Sequence, residues 1–251
     1  MSANTLDKRP GFRRHILVQP GEGEVAVMLE DDIHSLAVNL RHDGSRVTDL
    51  DAWFERAPWT TCPGAGAKLR ETFCGKLLSE VTAKVDKVLN CTHMHDIAVL
   101  AATHAGDAAE ILYQMIATDP DNGERLLELR RNGKLVQNWT ERDGILAAPE
   151  AVAGKTLHEL REWIGSLEGS AREEAGILRW ASSVARGRTL PMELQNDAKT
   201  LRLRCYTFQP ERIDQAQLIG DRRDFSEGLN FPLAGLRAQV AEFRRRTGDQ
   251  N

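Results

Sequence analysis

The chain reads as an α+β fold, an antiparallel β-meander with hairpins packed against helices, and two observations predict it. Between Arg14 and Arg56, apolar residues alternate with period two in short runs joined by hairpin-length turns. Beyond that, helical spacing, a hairpin, further helical spacing and a late strand-like run follow one another in blocks. That order does not suit a βαβ repeat.

Taken in order, residues 1–12 read as a loose arm. Ile16-Leu17-Val18 leads into Pro20-Gly21-Glu22-Gly23, and then Val25, Val27 and Leu29 alternate with Ala26, Met28 and Glu30, as in a hairpin. A third strand puts His34, Leu36, Val38, Leu40 and His42 on one face. Asp43-Gly44 signals a turn, and residues 46–56 return as a fourth strand. The Pro- and Gly-rich run 57–66 ends the sheet. Helices are expected over residues 67–73, stopped by Gly75, and over 76–89, where Leu77, Leu78, Val81, Val85 and Val88 recur at core spacing. Thr92 is expected to cap a third helix that ends near Gly106. Residues 111–118 read as a strand, and 126–131 with 134–140, around Asn132-Gly133, form the clearest hairpin. Residues 156–167, 171–186 and 233–246 read as helices and 201–208 as a strand. The whole, 1–251, reads as a single α+β domain, with Gly106 the best candidate for a subdivision into 14–106 and 107–251.

With 251 residues, 41% hydrophobic and 28% charged, the composition is that of an ordinary globular protein able to bury a core. A formal net charge of -4 and a pI near 6.0 give no electrostatic reason to expect nucleic acid or an anionic membrane as partner. No apolar run approaches the roughly 20 residues of a membrane span, and Met1 to Arg14 has no signal-like apolar core. The four cysteines show no CxxC pair, so reduced thiols and a cytoplasmic setting are expected. A meander with open edges makes a homodimer a reasonable expectation.

Chemistry concentrates in Asn90-Cys91-Thr92-His93-Met94-His95-Asp96 and on to His104. At 100° per residue His93, Ile97, Leu100 and His104 share a stripe, and His95 points away. The positive helix end disfavours imidazolium, which leaves His93 as a base with Asp96 one turn on as its orienter, and it favours the Cys91 thiolate. The bland alternative has Asp96 capping the helix and the histidines satisfying core neighbours. A metal would draw on Cys91, His93 and His95 with His34 or His104, but an x-spaced pair at a helix start diverges and no HExxH or CxxC is present. No metal and no other cofactor is expected.

Three further candidates lie elsewhere. His34 and His42 share a strand face; His34 is preferred because Glu30-Asp31-Asp32 can orient and charge its ring, although the same carboxylates suit a solvated turn. Arg56 and Trp59, beside Cys62, suit a planar or anionic ligand, against the alternative that Trp59 plugs the sheet end. A nucleophilic Cys62 needs a base that the sequence does not place. Tyr206 offers a phenolic proton donor or, more blandly, core packing with a wet hydroxyl.

Together, Glu30-Asp31-Asp32-Ile33-His34, the run from Arg56 through Trp59 and Cys62-Pro63-Gly64 to Ala65, and Cys91-Thr92-His93 with Asp96 resemble a bacterial family of unknown function. The resemblance covers roughly residues 14–106 and, more loosely, 205–210. It implies a setting in proteobacterial catabolism of aromatic compounds, including lignin-derived dimers, and the nearest named activity is a phenylcoumaran formaldehyde lyase. The implied chemistry is a cofactor-independent, retro-aldol-type cleavage of a small aromatic substrate. His93 or His34 would act as base, Asp96 as orienter, Arg56 or Tyr206 as phenoxide partner and Trp59 as aromatic wall, with Cys62, His42 and Cys91 lining the site. The alternatives are hydration, isomerisation or decarboxylation of an aromatic acid, and non-catalytic binding of such ligands.

Overall fold

A computed structural model describes residues 5–82, 85–189, 204–227 and 231–248. Its strand pairs run antiparallel and its helices pack against them, so the fold is α+β. The chain divides into two compact units. One comprises the described parts of 16–111, 191–222 and 233–251; the other comprises the described parts of 1–15, 112–190 and 223–232.

The first unit carries the strand order β4-β3-β2-β1, from β1 (Gly11–Gly21, of which 16–21 belong here), β2 (Glu24–Asp31), β3 (Ser35–His42) and β4 (Val47–Arg56). Alternation places these strands, but β2 from Val25 to Asp31 and β3 from Ser35 to Leu40 are buried without interruption. Both faces are therefore covered. Helix α1 (Ala65–Phe73) packs on β4, and α2 (Thr92–Thr103) packs on β2 and β3. Gly66 permits the close approach of α1, since a Cβ there would lie 2.3 Å from the Ala52 carbonyl oxygen. Helix α2 buries Met94, His95, Ile97, Ala98, Leu100, Ala101 and Ala102, so it is a central helix rather than a surface stripe.

In the second unit the order is β1-β5-β6-β7-β8, with β5 (Ile111–Thr118), β6 (Glu124–Arg131), β7 (Lys134–Arg142) and the short β8 (Ile145–Ala148), the last not expected from sequence. The Asn132-Gly133 hairpin forms as expected, Asn132 at φ 50° and Gly133 at φ 78°. Helix α4 (Gly169–Ala185) packs on β6 and β7 and contacts α3 (Leu160–Ser166). The C-terminal α5 (Leu236–Gly248) belongs to the first unit. Among the described residues, no helix is long and apolar enough to cross a membrane.

Three expectations fail. The helix expected over 76–89 is replaced by single turns at Leu78–Glu80 and Lys87–Leu89. Its first residues spend their backbone elsewhere: Val47 N–H donates to Lys76 O (3.0 Å) and Leu78 N–H to Ser45 O (2.8 Å). Three valines and Thr82 lower the helix propensity of the rest. In the strand expected over 201–208, residues 201–203 lie outside the described residues, and Tyr206–Phe208 is a single turn in which Phe208 N–H donates to Cys205 O. The cap of α2 is Cys91 rather than Thr92, which shifts the frame by one and makes His93 the second helical residue. Two smaller departures are the 3-10 turn Thr5–Lys8 within the expected arm and a helix α3 that starts later than residue 156.

Candidate functional site

The β2–β3 connection is tight. Asp31 N–H donates to His34 O at 2.8 Å, and the Asp31 carboxylate oxygen Oδ1 accepts the N–H groups of Ile33 and His34, each at 2.7 Å. An aspartate that closes its own turn in this way fixes both its carboxylate and the residue it caps. The Nδ1 atom of His34 lies 3.2 Å from that same oxygen. Asp31 is fully buried and His34 is 7% exposed, so the pair is shielded from bulk water.

Arg56, at the end of β4, holds this turn from behind. Its guanidinium donates to the carbonyls of Asp32 (3.0 Å), Asp31 (2.7 Å) and His34 (3.4 Å) and pairs with Glu30 at 3.3 Å. The other Glu30 oxygen accepts the Leu233 N–H at 2.6 Å. Arg56 is 5% exposed and is occupied by the turn, rather than presented to an anionic ligand as the sequence suggested. The reason is topological: Arg56 pairs with Ser35 in the β3–β4 ladder, and its side chain reaches back to the hairpin end.

The first turn of α2 brings His93 onto His34. The two rings stack with centroids 3.9 Å apart and planes at 28°. His93 is half-buried at the second residue of the helix. Asp31, His34 and His93 each place one ligand-type atom within 4.8 Å of the other two, the one such group of three among the described residues. Asp96, expected as the orienter, pairs with Lys87, and the carboxylate on the imidazole pair is Asp31. Asp31 belongs to the acidic run before His34, for which the sequence preferred that histidine.

The other histidines that the sequence singled out have structural partners. His95 is fully buried, its Nε2 2.7 Å from Val85 O and its ring against Phe73. His42 Nδ1 accepts the Gly44 N–H at 3.1 Å in the β3–β4 turn, and His104 pairs with Asp107 at 2.8 Å.

The remaining candidates gather around Thr207. The Sγ of Cys62 and the Oγ1 of Thr207 are 3.4 Å apart, and Tyr206 N–H donates to Asn90 O at 2.9 Å, which ties the 205–208 turn to the start of α2. A Cβ on Gly64 would meet the Tyr206 hydroxyl at 2.7 Å, so that tyrosine lies across the Cys-Pro-Gly turn, with Arg212 over its ring. Trp59 is 5% exposed and meets Phe208 edge-on at 5.4 Å, within a cluster of Ala57, Cys62, Phe54, Ile213, Ala216 and Leu218. Burial pushes the Cys62 and Cys91 thiols up, and that of Cys205 up to about 11. At Cys91 desolvation outweighs the pull of the helix end that the sequence suggested, and the thiol form is favoured.

Residues 18–106 match a family model described as a protein of unknown function (DUF2889). That span covers the hairpin carrying Asp31 and His34, Arg56, the Cys62-Pro63-Gly64 turn and the start of α2. No curated protein matches the chain.

Proposed function

We propose that Asp31, His34 and His93 form an acid–base centre, and that its reaction is cofactor-independent carbon–carbon cleavage of a lignin-derived or related aromatic substrate, releasing formaldehyde. The observation that carries the reading is the stacked His34–His93 pair with Asp31 held against one ring. Such a pair suits a reaction in which one imidazole takes a proton while its neighbour supplies one. Asp31 orients the His34 ring, and Arg56 fixes the turn that holds Asp31.

The reaction class comes from the motif resemblance. One ring takes the proton of a hydroxymethyl group, and the oxygen electron pair forms the carbonyl of formaldehyde. The carbon–carbon bond pair becomes a new carbon–carbon double bond, the neighbouring aryl ether bond breaks, and the phenoxide takes a proton. No electrons enter or leave, so the step requires no redox group. In this reading the second imidazole supplies that proton, while Tyr206 lies across the Cys-Pro-Gly turn and Arg56 serves the β2–β3 turn.

Incubation of the purified protein with a panel of lignin-derived dimers bearing hydroxymethyl groups, assayed for formaldehyde, tests the reading. Release by the wild type and its loss in His93→Ala support it. Tight binding of the same dimers without turnover favours a ligand-binding protein instead.

A further inference from the structure

The geometry points to a second capacity of the same three residues: we propose that Asp31, His34 and His93 bind one divalent first-row transition ion of the zinc class. This goes beyond the acid–base reading, since it concerns the lone pairs of the ligand atoms and needs no substrate. Two ring nitrogens and a carboxylate oxygen lie within 4.8 Å of one another. Bonds of about 2.0–2.2 Å to such an ion place tetrahedral ligands roughly 3.3 Å apart, so closure requires a movement of about 1.5 Å or less.

Asp31 is pinned by two backbone N–H donors, and His34 sits in the turn that Arg56 holds. Closure would therefore fall to His93, half-buried at the second residue of α2, by rotation about its side-chain bonds. Two imidazoles with one carboxylate leave at least one coordination position for water or another small ligand, the pattern of reactive rather than purely structural sites. The hydrogen bonds to the carboxylate and the arginine behind the turn are the outer-shell supports that such sites use. The sequence offered Cys91, His93 and His95, with His34 or His104, as the metal candidates. Of these the fold brings together His93 and His34 and buries His95 against Phe73, and the carboxylate is Asp31.

A coordinated lone pair cannot accept a proton, so ion binding and proton transfer compete, and zinc at saturating occupancy should abolish formaldehyde release. The decisive measurement is made without substrate. The full chain, stripped with chelator and dialysed, is titrated with zinc chloride by calorimetry, and cobalt(II) is added in parallel to read the coordination spectrum. One ion per chain is expected, with affinity falling about 100-fold or more in His93→Ala and in His34→Ala and by about 10–100-fold in Asp31→Asn. His42→Ala and His158→Ala should bind as wild type does. Circular dichroism confirms folding of each variant, and His93→Ala, at a half-buried position, decides the matter if His34→Ala does not fold. No zinc binding by the wild type overturns the proposal, and so does unchanged binding in His93→Ala, including binding that is lost only when cysteines are replaced. Formaldehyde release without zinc binding sinks the metal site alone; zinc binding without turnover on any dimer sinks the reaction alone.

Discussion

Two regions meet at the start of α2, and they use buried polar atoms in opposite ways. Around the β2–β3 turn, Asp31, Glu30, Arg56 and His34 are buried but joined by hydrogen bonds, and one ring of the assembly, His93, stays half-buried. Around Thr207, by contrast, Cys62 is buried in an apolar cluster with Trp59, and Cys91 is buried as well. In the first region the protein supplies partners for charge. In the second it removes water and leaves thiols in their neutral form. A residue type that carries chemistry in one setting is packing in the other.

Function should divide along that line. Replacing His34 or His93 with Ala should reduce formaldehyde release by about 10²- to 10⁴-fold, while Cys62→Ser should stay within several-fold. A reversed pattern, with the cysteine variant dead and the histidine variants active, would move the site to the thiol region. Stability should divide differently. Arg56→Ala removes the cation paired with Glu30 and one donor from each of three turn carbonyls, and should cost about 3–5 kcal/mol in urea unfolding. Trp59→Ala, a cavity in an apolar cluster, should cost about 3 kcal/mol. If Arg56→Ala unfolded no more readily than wild type yet lost activity, the guanidinium would be reaching substrate rather than holding the turn.

The smallest effect concerns the thiols. Cys205 is raised from 9.0 to about 11 by burial, so the folded chain keeps a proton that the unfolded chain has begun to release. Its contribution is fully present below pH 9 and is lost as pH rises through 11, on the order of 1 kcal/mol, since part of the side chain is exposed. Melting temperatures of wild type and Cys205→Ala should converge or cross over that window. Parallel curves would mean that the thiol is solvated.

The sequence by itself determined the meander, the Asn132-Gly133 hairpin and the central helix, because alternation, turn residues and helical spacing are local properties. It also marked the acidic run before His34, and the separation of His95 from His93 follows from helical periodicity alone. Only the tertiary structure decided that residues 76–89 are spent pairing with the start of β4, since a backbone partner elsewhere in the chain outweighs a favourable apolar spacing. It also decided which carboxylate serves the imidazoles: Asp96 lies closer in sequence to His93, but the hairpin turn delivers Asp31 to His34. Most of all it decided the juxtaposition of His34 and His93, 59 positions apart, because the packing of α2 on β2 and β3 is set by side-chain fit across the sheet and leaves no local trace in either segment. The histidine cluster at the helix start thus gains its stacked partner only when the hairpin supplies the second ring.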